Sequence, residues 1–500
     1  MFKRISAVFI VMLLMVSCSL VNSIPQVFTV APVGDASSTT NPIIASGSLT
    51  ATETASPVVA MTSSPVSTPT LAIPMGAIVV NTFDQEVYPF KQNGNCSLGE
   101  AIWAAQTQKS QDGCVVTAGS STIYLPTGSY TLTDADTSSP PLPGAGGRLG
   151  FVPGGFPVIY TAMTILGNGS TIQRTGSNKF GIFQVTAGGN LTLNDLTISG
   201  GDTTNTDLSE GGALDMLLGQ ATLNRVTITK NASYDGGGLA IGMNSTLTLN
   251  DSVVQGNTAT NDGGGIYSGG TLMLKNSVVS SNTAQDQSLG GGGIYNDSGK
   301  VSLDHSQLVS NLAFEGGGIY SDSGMVNIVD QSVISGNVAT EVSDVPHGGG
   351  GINSLDSNGG ALVTIKDSFI VGNQAPASIA GGIYVQGSDS NSTILTITNS
   401  ILSHNSALAS GGILIGGGTG WITGSCIVGN KATKVSGNVG GDVDNGNMDQ
   451  VPFVASNNWW GASDKPGSVS QFVTTAPILT SPPAICAGAI PTPYPTLSGK

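Results

Sequence analysis

The sequence predicts an all-β fold, a right-handed three-sided parallel β-helix (a solenoid) with a short N-terminal helical cap, and three observations predict it. Between about Leu191 and Val435 one phrase recurs: a Gly cluster, a strand-like pair, an alternating run, then a segment such as Ser277-Val278-Val279-Ser280-Ser281-Asn282. Successive Asn residues of that phrase lie 25 to 36 positions apart, too far for a hairpin unit, and the intervals carry no helical periodicity. Period-2 runs such as Leu247-Thr248-Leu249 send apolar side chains one way and polar ones the other. Stacking such units joins the inward residues into one core, with rungs about 4.8 Å apart and roughly eight to ten coils.

The chain opens on an export signal, residues 1–18. Lys3 and Arg4 form a basic start, and Ile5 to Val16 an apolar stretch too short to span a bilayer comfortably. Met15-Val16-Ser17-Cys18 resembles the bacterial lipobox, which implies cleavage before Cys18 and its lipidation. Residues 19–76 are Ser, Thr, Pro, Ala and Val with almost no charge, the composition of an extended, unpacked tether. No second hydrophobic span, C-terminal sorting motif or room for a transmembrane barrel is read from the sequence, so the only expected membrane contact is the lipid anchor. The expected location is the cell surface or extracellular space, held to the envelope.

Residues 77–135 are expected to cap the first coil. Ser97-Leu98-Gly99-Glu100 reads as a capping box that starts a helix, with Leu98, Ile102 and Ala105 on one side. Removing Cys18 leaves Cys96, Cys114, Cys426 and Cys486, an even number for an oxidising compartment. Cys96 with Cys114 and Cys426 with Cys486 are the local pairings among the three possible connectivities. Residues 136–470 carry the repeats, and 471–500 a C-terminal cap and Pro-rich tail. Asn457-Asn458-Trp459-Trp460 falls where the repeat stops, read as a cap on the last coil in preference to a sugar platform.

Each repeated residue has a physical reason. The Asn column (Asn231, Asn257, Asn282, Asn311, Asn337, Asn373, Asn405 and Asn430) is expected to occupy a left-handed corner and to bond from rung to rung. Gly clusters ending at Gly238, Gly265, Gly293, Gly318, Gly351, Gly382 and Gly412 mark a corner where tight stacking excludes a Cβ. Unequal repeats imply loops at corners, as at Glu341 to His347 and Ser388 to Ser392.

These motifs resemble known families. Cys96-Ser97-Leu98-Gly99-Glu100-Ala101-Ile102 is similar to the CSLREA-type N-terminal domain, with Gly99 in place of the usual Arg. The Gly-Gly-Gly-Ile-Tyr and Ser-x-Val-x-x-Asn phrases resemble polymorphic outer-membrane-protein and adhesin-like β-helix repeats, over about residues 77 to 470. The resemblance implies a right-handed β-helix exposed at a cell surface.

Composition narrows the function. The formal net charge of −15, from 16 Lys+Arg against 31 Asp+Glu, argues against nucleic acid or an anionic bilayer as partner. Three His (His305, His347 and His404) leave little for imidazole chemistry or metal ligation, and no metal site is expected. A glycosidase needs two carboxylates flanking one bond. The column before the repeat Ser (Asp251, Asn276, His305, Gln331, Asp367 and Asn399) holds its acids several coils apart, and Arg225, Lys230, Lys275 and Lys366 are not expected to join an acidic cluster. No catalytic residue is therefore expected. Asp442 to Asp449 is rich in Asp but misses the spacing of a calcium loop, so Ca2+ is the one cofactor considered. The Gly clusters lack the Gly-Lys-Ser/Thr of a phosphate cradle. One column points to binding: with Ile266, Ile294 and Ile319 inward, Tyr267, Tyr295 and Tyr320 point outward, and Tyr384 repeats the pattern. That ladder could stack on sugars or a partner's apolar surface, or its rings on one another. The expected function is a non-catalytic, adhesin-like or glycan-binding display scaffold, its partners surface or matrix glycans or proteins. The alternative is a polysaccharide lyase or glycoside hydrolase.

Overall fold

The computed structural model of the chain describes residues 72–136, 154–205, 211–287, 290–342, 348–357, 359–387, 393–434, 441–446, 451–463 and 468–487. They form a right-handed, three-sided parallel β-helix of about nine turns. Cys18 and the signal, most of the tether, His347, the 388–392 segment, Asn447 to Asp449 and the tail from Gly488 lie outside the described residues.

One coil shows how the sequence makes the fold. Ile266–Ser268 belongs to a ten-stranded sheet, and Gly269-Gly270 turns the chain into Thr271–Lys275. Asn276-Ser277 bends it into Val278–Ser280, and both of these strands join a sheet of 23 strands. Thr283–Ala284 lies in an eight-stranded sheet, and Gly290 to Gly293 return the chain to Ile294. Each strand pairs in parallel with its equivalents on the coils before and after. Leu247, Leu249, Leu272, Leu274, Val301 and Leu303 are all buried, so alternation alone fills the interior.

The corners correct one expectation. The left-handed residue is the one before each ladder Asn: Lys230, Ser281, Ser310 and His404, with Gly256, Gly336, Gly372 and Gly429 on the other coils. That residue turns at the surface, which leaves the Asn amide free to project inward. There it is almost fully buried from Asn231 to Asn405. Each Nδ2 donates to the next Asn Oδ1 and to a core carbonyl. Asn311, for instance, reaches Asn337 at 2.9 Å and the Val279 carbonyl at 3.0 Å. Each Oδ1 also accepts from the preceding Asn backbone N–H, as Asn311 does from Asn282 at 3.0 Å. A second ladder runs along the repeat Ser, whose hydroxyls accept the Ser backbone N–H of the preceding coil, as in Ser252 to Ser277 and Ser277 to Ser306.

Space rather than conformation demands the middle Gly of each cluster. A Cβ on Gly264 would lie 2.4 Å from the Thr283 carbonyl carbon and 2.5 Å from the Gly292 oxygen. Gly264→Ala is expected to cost about 1–3 kcal/mol through this backbone overlap, seen as a lower melting temperature by circular dichroism.

The coils begin within 77–135. Ile78–Val79 pairs with Thr122–Tyr124, which pairs with Ala162–Arg174. The helix Leu98–Thr107 has the expected capping box: the Glu100 N–H donates to Ser97 Oγ, and the Ser97 N–H donates to Glu100 Oε2 at 3.0 Å. Leu98, Ile102 and Ala105 bury against the first coil. The local disulfides form, Cys96–Cys114 and Cys426–Cys486. At the far end Trp460 closes the core. Beyond it, Ile485 and Cys486 lie over Cys426, Ile401, Phe369 and Val333, an outward-facing apolar column on consecutive coils.

Candidate binding face and the acidic tyrosine column

The tyrosines point outward from the ten-stranded sheet as alternation requires, but they do not form an exposed ladder. Tyr267, Tyr295, Tyr320 and Tyr384 are 8%, 8%, 2% and 4% exposed. Tyr267 and Tyr295 stack at 5.4 Å and Tyr295 and Tyr320 at 5.1 Å, nearly parallel, so ring lies on ring. Leu355 packs against the column. Asn353 then interrupts it, standing in register between Tyr320 and Tyr384. Tyr267 Oη donates to Asp297 Oδ2 at 2.6 Å and Tyr384 Oη to Gln386 Oε1 at 2.5 Å. Burial pushes the hydroxyls of Tyr295, Tyr320 and Tyr384 well above the usual tyrosine value. Such rings support the rungs and offer no stacking surface to a sugar.

Beside the rings run carboxylates that the sequence reading overlooked. Asp235, Asp262 and Glu315 each stand just before a Gly cluster, and with Glu341 they are at most 5% exposed. Asp235 Oδ1 and Asp262 Oδ2 hold the same Asn261 amide, at 2.8 and 3.1 Å. Burial first, then the neighbouring Asp235, pushes the Asp262 carboxyl up to about 8. Burial, then Glu341, pushes Glu315 up to about 8, opposed by the bond that Glu315 Oε2 accepts from Asn353 at 2.8 Å. The repeated Asp-Gly-Gly-Gly of the sequence was the available signal. Asp235 with Asp262 and Glu315 with Glu341 meet on neighbouring coils, yet all four are closed to a polysaccharide chain.

The other predicted positions stay apart or serve the scaffold. Asp251 and Asp367 sit on coils four rungs apart, at left-handed corners of the large sheet. Arg225 pairs with a single acid, gripping Asp195 of the adjacent coil through Nε at 2.7 Å and a terminal nitrogen at 2.9 Å. The stacking of left-handed corners puts the two αL residues one above the other. Asp442 ends the Asn ladder, accepting from Asn430 Nδ2 and the Ser468 N–H, both at 3.0 Å. Both of its oxygens are thus engaged by N–H donors.

The large sheet presents what the tyrosine column does not. Thr192, Thr222, Thr248, Met273, Ser302, Asn327, Thr364, Thr396 and Trp421 succeed one another in register, all directed outward. Trp421 is 46% exposed at the C-terminal end of this row, with Val454 beyond it. The chain matches no family model, no curated protein and no solved structure. The scaffold is a parallel β-helix with two disulfides, and this outward row of its large sheet is uncharged and ends in an indole. Sequence alternation could have found Trp421: Ile422 is inward, so its neighbour faces out. Among the described residues no helix is long and apolar enough to cross a membrane.

Proposed function

We propose that the protein is an exported β-helix, lipid-anchored to the cell envelope through Cys18, that binds glycans or a partner's surface without chemistry. The observation that carries the binding reading is the outward row ending in Trp421. An exposed indole stacks on sugar C–H groups, and flanking hydroxyls and amides meet sugar hydroxyls at a regular rung spacing of about 4.8 Å. The disulfides suit an oxidising compartment. The capping sequence Cys96 to Ile102 and its similarity to surface-protein caps add weight to the same reading. The membrane is met only through the anchor, and the acidic balance disfavours nucleic acid.

A glycan and polysaccharide array read for retention and for cleavage products tests this. Retention without cleavage is expected, weakened at least about tenfold by Trp421→Ala, the loss typical of an aromatic hot spot. The tyrosine variants Tyr267→Phe and Tyr384→Phe should leave retention unchanged. New reducing or unsaturated ends would instead make the protein an enzyme and overturn the reading.

A further inference from the structure

We propose that Asp304, His305 and Asp330 form a binding site for a divalent first-row transition cation, with Zn2+ as the ion to test. Their ligand atoms all lie within 4.8 Å of one another. His305 Nδ1 and Asp304 Oδ1 are already paired at 2.6 Å. About half of each of these two side chains is open to solvent, at 44% and 41% exposure, so an ion has a path in and room for water ligands.

The third ligand comes from a lengthened turn. Two residues join the paired strands of the large sheet at Asp251-Ser252, Asn276-Ser277, His305-Ser306, Asp367-Ser368 and Asn399-Ser400. Between Met325–Val329 and Val333–Ser335 there are three, Asp330-Gln331-Ser332. Register shows where the extra residue falls: Asp304 lies beside Val329, Gln307 beside Val333, and Ser332 Oγ accepts the Ser306 N–H, so Asp330 and Gln331, both left-handed, stand at the corner opposite the single His305. Its carbonyl accepts the His305 N–H at 3.2 Å, which fixes the two residues together. His305 is thereby flanked by one carboxylate on its own coil and another on the next.

The donor set selects the ion class. Zn2+ takes imidazole nitrogen and carboxylate oxygen at about 2.0–2.2 Å, and three protein ligands plus water complete its shell. Ca2+ and Mg2+ prefer oxygen alone, so the imidazole favours a transition cation over them. Asp330 is exposed, so its side chain can turn toward the His305–Asp304 pair around the ion.

Titration calorimetry of ZnCl2 into the full chain, prepared without a histidine tag, tests the site. One saturable equivalent is expected, with Ca2+ unable to compete. His305→Ala should weaken binding at least about tenfold, as should deletion of Asp330, which restores the two-residue turn of the other coils. Circular dichroism of both variants verifies that they fold. Co2+ should give visible d–d absorption in the native chain and none in His305→Ala. Absence of saturable Zn2+ binding, or binding that survives both changes intact, would overturn the site, and equal competition by Ca2+ would overturn its class.

Discussion

Replacing Asn311 by alanine is expected to destabilise the protein by about 3–5 kcal/mol, a large loss for one residue at no active site. Asn311 Oδ1 accepts from both the backbone and the side-chain nitrogen of Asn282, and its Nδ2 serves the Val279 carbonyl and Asn337. Alanine leaves the Asn282 N–H and the Val279 carbonyl without these partners at a corner sealed from water. Each buried orphan costs about 1–3 kcal/mol, and the chain cannot open the corner to water without parting two rungs. Thermal unfolding measured beside Asn327→Ala checks this, because Asn327 is an exposed Asn on the outer face of the next coil. That substitution should cost less than about 0.5 kcal/mol. Equal effects from the two would mean that the ladder contributes nothing beyond ordinary surface polarity.

Stability is also expected to fall as pH rises from about 4 to about 8, the reverse of a protein held by ion pairs. Asp262 and Glu315 start from ordinary values of 3.8 and 4.5 and are both raised to about 8 in the folded chain. A raised folded value means that the native state holds its protons longer than the unfolded one. The stabilisation is then complete below the unfolded values and is lost as pH climbs through the folded ones. At roughly 1.4 kcal/mol per unit of displacement, the loss is on the order of 5 kcal/mol for each of the two carboxyls. Melting temperatures taken between pH 4 and pH 9 should decline across that window and level off above it. The double variant Asp262→Asn, Glu315→Gln should flatten the curve, since neither amide titrates. A native curve that rises over the same interval would refute the burial of these acids in their neutral form.

The architecture was legible because it repeats. One Asn every coil, Gly where backbones touch, and alternation of Leu with Thr each constrain a rung, and nine rungs leave no other fold that buries them all. The Ser97–Glu100 box and the two local cysteine pairs were legible for the same reason, since each is a short-range pattern. Side-chain exposure was not. Alternation gives the direction of Tyr295 but not what lies over it, and its burial comes from the rings one coil away and the carboxylates at its flank. The ladder corner was misplaced by one residue, because an Asn in a turn invites a left-handed conformation that here falls to Ser281 or Ser310. Asp235, Asp262 and Glu315 were hidden by their distance in sequence, which coils of 25 to 36 residues reduce to one rung between Asp235 and Asp262 and two between Asp262 and Glu315. Asp330 needed the register itself, since nothing in Val329-Asp330-Gln331-Ser332 marks a turn of three residues where the other coils have two.

The covalent bond between Cys426 and Cys486 also sets where tension would travel. A pull on the C-terminal tail reaches the protein through Cys486, and the bridge hands that force directly to Cys426, 60 positions earlier. The intervening chain, with the last coil and Trp460, is bypassed and carries none of the load. Cys426 belongs to a strand hydrogen-bonded along Ile401–Ser403, so the force spreads across a sheet in shear before any rung must peel. In the reduced protein the same pull would strip the terminal coil first, exposing the apolar end of the solenoid to whatever lies beside it.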